Sequence, residues 1–250
     1  MTVTFQPDRF GTRARIGLVY MASSVVMEPE MYAMASEDVS IHTSRLTLPS
    51  VTVEGIDAMM NSPELESAVR LCAQAPLDAL IFGGTSASFL HGTAWDNALI
   101  EKMNQWASIP ATTTSTASLA ALKEVEAEKI GLVTPYLPEV IDRAEKFFGS
   151  NGFPVVRSSG LGITSDWELA EVPLEKVYDM CREIDGDDIS AIFISCTNLR
   201  SVGAISAIED AIGKPVVSAI QASYWHCLKV AGVDGGAVPG YGKLFDSTLA

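Results

Sequence analysis

Ala79-Leu80-Ile81-Phe82-Gly83-Gly84-Thr85-Ser86 and Ala191-Ile192-Phe193-Ile194-Ser195-Cys196-Thr197-Asn198 share one pattern: four apolar residues, two small ones, then hydroxyl- or amide-bearing ones. The second lies 112 positions after the first. Ile16-Gly17-Leu18-Val19 recurs word for word at 130–133, an offset of 114, and Ile109-Pro110-Ala111-Thr112-Thr113 is answered by Lys214-Pro215-Val216-Val217-Ser218 at 105. Three matches in one order mark an internal duplication, hence two similar lobes. Apolar runs that do not alternate with polar residues belong to parallel strands buried on both faces.

Working outward, Arg15–Tyr20, Val39–Leu46, Ala79–Phe82, Pro110–Thr113, Ile130–Thr134, Pro154–Ser158, Ala191–Ser195 and Pro215–Ser218 read as strands. Helices are expected at Glu54–Ala75, Asn97–Ala107, Thr116–Glu126, Leu137–Gly149, Leu174–Ile184 and Ala204–Ile212. The fold class is α/β: two pseudo-symmetric Rossmann-like lobes, each with a parallel sheet of about four strands. The first lobe is expected at 1–114 plus about 220–250, and the second at 115–219. Ligands of such sheets bind beyond the carboxyl ends of the strands, so Gly84-Thr85-Ser86 and Cys196-Thr197-Asn198 should face one pocket between the lobes.

The chain has 250 residues, 48% of them hydrophobic, which suffices for a large core. Its 17 Lys and Arg against 31 Asp and Glu give a net charge of −14, which repels phosphate backbones and anionic lipid, so no nucleic-acid or membrane partner is expected. MTVTFQPDRFGTRAR lacks the apolar run of a signal peptide, and no stretch reaches the ~18 apolar residues of a membrane helix. The expectation is a cytoplasmic protein, with a homo-oligomer left open. Cys72, Cys181, Cys196 and Cys227 form no C-x-x-C pair and should be free thiols.

Cys72 and Cys181 fall inside helical patterns and read as small buried hydrophobes. Cys196 stands one residue beyond an apolar strand, where backbone amides can hold an anion, and is the candidate for chemistry. Its counterpart in the repeat is Gly84, so a mechanism with two opposed thiols lacks one. Thr85, Ser86 and Ser88 offer hydroxyls for an oxyanion, or caps for the following helix. Tyr136, at the end of the second lobe's first strand, is a further site candidate or a packed aromatic. No G-x-G-x-x-G or Walker motif occurs, and His42, His91 and His226 lack metal-ligand spacing, so no cofactor and no metal is expected.

Several segments together resemble the arylmalonate decarboxylase family, within the aspartate/glutamate racemase superfamily and related to maleate cis-trans isomerases. They are G-G-T-S-x-S-F (83–89), T-T-x-S-T-A (112–117), L-x-T-x-Y (132–136), L-G-I-T (161–164), Ser195-Cys196, P-V-V-S (215–218) and the tail P-G-Y-G-K-L-F-D (239–246). The resemblance implies a cofactor-independent enzyme acting on a small carboxylate or dicarboxylate, with Cys196 catalytic. It also implies a dioxyanion pocket at Thr85, Ser86, Tyr136 and the backbone at Cys196-Thr197, beside Gly84. Leu48, Val51 and Leu169 would form a small apolar pocket for the departing carboxylate, with Asp166 as its fourth wall. The implied activity is decarboxylation of substituted malonates. Alternatives are a maleate-type cis-trans isomerase, a racemase, or a non-catalytic protein that binds small carboxylates.

Overall fold

Parallel pairing organises the chain as two four-stranded sheets of identical strand order. In this computed structural model residues 9–233 and 239–246 are described; the outer ends of the segments 1–114 and 220–250 lie outside them. The first half runs β1 (Ala14–Met21), α1 (Met27–Met34), β2 (Val39–Leu46), α2 (Val53–Met60), α3 (Glu64–Cys72), β3 (Ala79–Phe82), α4 (Thr85–Phe89), α5 (Thr93–Ala107), β4 (Ala111–Thr113) and α6 (Thr114–Glu124). The second runs β5 (Ile130–Val133), α7 (Pro138–Ser150), β6 (Val155–Ser159), α8 (Asp166–Leu169), α9 (Leu174–Ile184), β7 (Ala191–Ile194), α10 (Ile205–Ile212), β8 (Val216–Ser218), α11 (Ala219–Val230) and α12 (Lys243–Asp246). The sheets read β2-β1-β3-β4 and β6-β5-β7-β8.

The duplication extends to individual hydrogen bonds. Ile16 pairs with Ala79 as Ile130 pairs with Ala191. Gly83 N–H donates to Val19 O at 2.8 Å, and Ser195 N–H donates to Val133 O at 2.8 Å. The caps repeat as well: Thr113 accepts from Thr116 N–H at the start of α6, and Ser218 accepts from Gln221 N–H at the start of α11. Both central strands, β3 and β7, are buried along their whole length. Each large apolar side chain enclosed there stabilises the fold by ~1.5–3 kcal/mol relative to leaving it exposed.

Two expectations need correction. The helix expected over 54–75 is broken into α2 and α3 at Asn61-Ser62-Pro63, because proline has no N–H to donate and disfavours helical geometry in the residue before it. Helix α11 was not expected at all. Its sequence, AIQASYWHCLKV, is buried nearly all round and carries no amphipathic period; its one local signal is the Ser218–Gln221 capping box.

The halves are also clasped away from the strand ends. Glu30 of α1 accepts from Ser201 N–H at 2.8 Å, Ser201 Oγ at 3.2 Å and Val202 N–H at 3.3 Å, where a short 3₁₀ turn leads into α10. Burial pushes the Glu30 carboxyl up to about 7 from an ordinary 4.5. Between those values the folded protein keeps a proton there that the unfolded chain releases, so this stabilisation is full below the lower value and is lost as pH rises through the upper one. Denaturant unfolding at pH 5 and pH 8 should therefore show the parent losing about 2 kcal/mol more than Glu30→Gln across that interval. Equal losses would contradict the assignment.

Candidate active site

The two repeated strand ends meet. Thr197 Oγ1, just beyond β7, donates to Gly83 O, just beyond β3, at 2.8 Å. Around this contact lies a cavity of about 20 Å³, room for about one water. Its wall brings together Thr85 and Ser86 from α4, Tyr136 from the turn after β5, and Cys196 and Thr197 after β7. Leu48, Val51 and Leu169 close another side. Gly84 is the N-cap residue of α4, the helix that begins with Thr85 and Ser86.

Position decides which hydroxyls are free. Ser88 turns back to Gly84 O at 2.8 Å and pairs with Ser115 Oγ at 2.6 Å, so it braces α4. Thr85 Oγ1 is buried at the cavity wall without a hydrogen-bond partner among the described residues. The hydroxyl of Thr197 is already committed to Gly83, so what this residue can offer a ligand is its backbone.

Cys196 is 4% exposed, and Asn198 N–H donates to its Sγ at 3.3 Å. Burial pushes the thiol up to about 12; hydrogen bonds from Asn198 and Tyr136 offset part of the rise and the charge of Asp166 adds to it. At neutral pH this group is a thiol, an acid with a proton to give. Burial also holds the Tyr136 hydroxyl well above its usual range, with the Cys196 beside it acting in the same direction and Ser86 and Thr85 in the opposite one. Both groups are therefore hydrogen-bond donors in a buried enclosure, where such bonds are stronger than in bulk water. The other three cysteines are buried free thiols in α3, α9 and α11.

Asn198, expected at the pocket with its strand end, lines the cavity, and so does Met21, which the sequence did not single out. Asn198 Oδ1 accepts from Val25 and Val26 N–H at 2.9 and 3.2 Å, and its Nδ2 donates to Asp166 O at 2.6 Å. It thus ties the loop after β1 to α8 across the top of the site. No local pattern announces this, since the three partners are remote in sequence. Asn198→Ala would leave three backbone groups without their partner, and should lower stability by about 2–4 kcal/mol and raise KM. Denaturant unfolding with steady-state kinetics checks it; an unchanged midpoint would contradict the bracing role.

Asp166 also lines the cavity, so the fourth wall beside Leu48, Val51 and Leu169 is not apolar. Its Oδ2 accepts from Ser23 Oγ at 2.6 Å and Ser24 Oγ at 2.8 Å. Outside it lies a second, more open cavity of about 380 Å³, which shares Leu48 and Asp166 with the inner one. Trp167, 58% exposed, forms part of this outer wall.

The family profile described as Arylmalonate decarboxylase matches residues 16–245. The chain belongs to the arylmalonate decarboxylase family. The arylmalonate decarboxylase of Bordetella bronchiseptica is 35% identical over 213 residues, 84% of this chain and 88% of that protein. The maleate isomerase of Nocardia farcinica is 28% identical over 240 residues, 92% and 94% of the respective chains. Among solved structures, a mutant of arylmalonate decarboxylase in its liganded form superposes with a TM-score of 0.87 at 31% identity, covering 93% of this chain and 99% of that one. A mutant maleate isomerase from Pseudomonas putida S16 with maleate gives 0.88 at 22% identity, covering 94% and 98%; at that identity the likeness is one of fold. Arylmalonate decarboxylases and maleate isomerases are enzymes that share this two-sheet architecture. Among the described residues of this family member no helix is long and apolar enough to cross a membrane, and no group of three or more His, Cys, Asp or Glu could hold a metal ion.

Proposed function

We propose that this protein is a cofactor-independent decarboxylase of substituted malonates. The observation that carries the reading is the inequality of the two strand ends: a buried cysteine, Cys196, and a glycine, Gly84, at the equivalent place in the other lobe. Loss of carbon dioxide turns the remaining carboxyl group into an enediolate, which needs hydrogen-bond donors and then one proton delivered to one face. Thr85, Ser86, Tyr136 and the backbone at Cys196-Thr197 supply the donors. Leu48, Val51 and Leu169 exclude water around the departing group. Cys196 supplies the proton and recovers it from solvent.

Thiol addition to a double bond, as in cis-trans isomerisation, requires the ionised form of Cys196 and a second acid in place of the missing thiol. Burial of Cys196 and the presence of Gly84 both disfavour it. A side-by-side assay separates the readings: carbon dioxide release from a panel of substituted malonates is expected, with maleate left unchanged. Loss of maleate without carbon dioxide release from any malonate would overturn the proposal, as would carboxylate binding without turnover.

A further inference from the structure

Among the described residues, Asp166 is the one charged side chain in the wall of the inner cavity. It is 7% exposed, its backbone carbonyl is held by Asn198 and its Oδ2 by Ser23 and Ser24, so its place is fixed by both halves of the molecule. Among the described residues no Lys, Arg or His forms an ion pair with it, and only Oδ2 has hydrogen-bond donors. A carboxylate taken out of water without a cation is unfavourable unless something else donates to it. The residue lines the inner cavity together with the thiol and the hydroxyls that a substrate carboxylate would use, and Oδ1 is left as an acceptor without a donor among the described residues.

We propose that Asp166 is a specificity-determining residue that selects substrates whose α-carbon carries a hydrogen-bond donor, an ammonium or a hydroxyl group, over those carrying a methyl or aryl group there. The inference rests on the decarboxylase reading and narrows it to α-amino- and α-hydroxymalonates. One carboxylate meets Thr85, Ser86 and Tyr136, the leaving one lies against Leu48, Val51 and Leu169, and the donor substituent turns toward Asp166. The bond from the α-carbon to the leaving carboxylate breaks and carbon dioxide departs. The electron pair passes into the enediolate, and the Cys196 proton then forms the new C–H bond. No oxidant or metal is involved in that balance. A substituent that cannot donate covers the second carboxylate oxygen without giving it a hydrogen bond, which is how buried polar groups reject analogues.

The test is carbon dioxide release from aminomalonate, hydroxymalonate, methylmalonate and phenylmalonate by the parent and by Asp166→Asn, whose amide oxygen can still accept from Ser23 and Ser24. Calorimetric binding of alanine and of isobutyrate, which has a methyl group where alanine has its ammonium, accompanies it. The parent should favour aminomalonate over methylmalonate by about tenfold or more in kcat/KM, and Asp166→Asn should erase most of that ratio. An equal or reversed ratio in the parent overturns the proposal, as does a ratio that survives in a folded Asp166→Asn protein. If the variant does not fold, the parent's ratio decides. Should no malonate release carbon dioxide, the decarboxylase reading fails and the binding pair alone decides. Tighter binding of alanine by about tenfold then supports selection by Asp166; equal affinities, or no binding of either, overturn it.

Discussion

Changing Cys196→Ser is expected to lower carbon dioxide release from a substituted malonate by about 10²–10⁴-fold, the range of a lost general acid, with the melting temperature nearly unchanged. Serine is slightly smaller but of the same shape, and its oxygen can accept from Asn198 N–H as Sγ does, so the cavity wall is little disturbed. What it lacks is a proton acidic enough to reach the enediolate carbon. Cys72, in α3, donates to His42 O of β2 at 3.2 Å, and Cys181 is a buried residue of α9; neither lines the cavity, so Cys72→Ser and Cys181→Ser should both retain turnover. Full activity in Cys196→Ser would end the mechanism as described.

The second large effect is a change in the kind of chemistry rather than its rate. Gly84 has φ −135° and ψ 102°, extended backbone that any residue adopts, so a side chain is not excluded by conformation. Space is the constraint: an added Cβ would stand 2.7 Å from Phe82 Cε1 and 3.3 Å from Ala87 Cβ. The Phe82 ring must turn, at a cost of about 1–3 kcal/mol. Gly84→Cys should therefore fold with a lowered melting temperature and place a second thiol at the strand end opposite Cys196. Protons can then reach an acidic α-carbon from both faces, and a chiral carboxylic product should racemise and exchange its α-hydrogen with deuterated solvent. A folded variant whose product stays a single enantiomer, with no exchange, would show that position 84 does not oppose Cys196.

Much of this architecture is readable from the chain because the duplication preserved register as well as residues. The offsets that align Ile16 with Ile130 and Ala79 with Ala191 are those of the paired strands themselves, so matched segments imply matched sheets. Candidate residues at strand ends follow from the same alignment, since parallel sheets present those ends together. Other features depend on where side chains from remote segments meet. Asn198 closing over the loop at Val25 and Val26, Ser23 and Ser24 reaching Asp166, and Trp167 at the outer wall are properties of the assembled lobes. Helix α11 escaped for a different reason: burial on all sides erases the periodicity by which helices are recognised.

The central claim, that one buried thiol delivers one proton to one face of an enediolate, is tested most directly by the stereochemistry of the product. A malonate bearing two different substituents that the enzyme turns over is decarboxylated in deuterated water, and the α-carbon of the product is analysed for configuration and isotope. The account predicts a single enantiomer carrying one deuterium. A racemic product would mean that solvent, not Cys196, protonates the intermediate, and would contradict it.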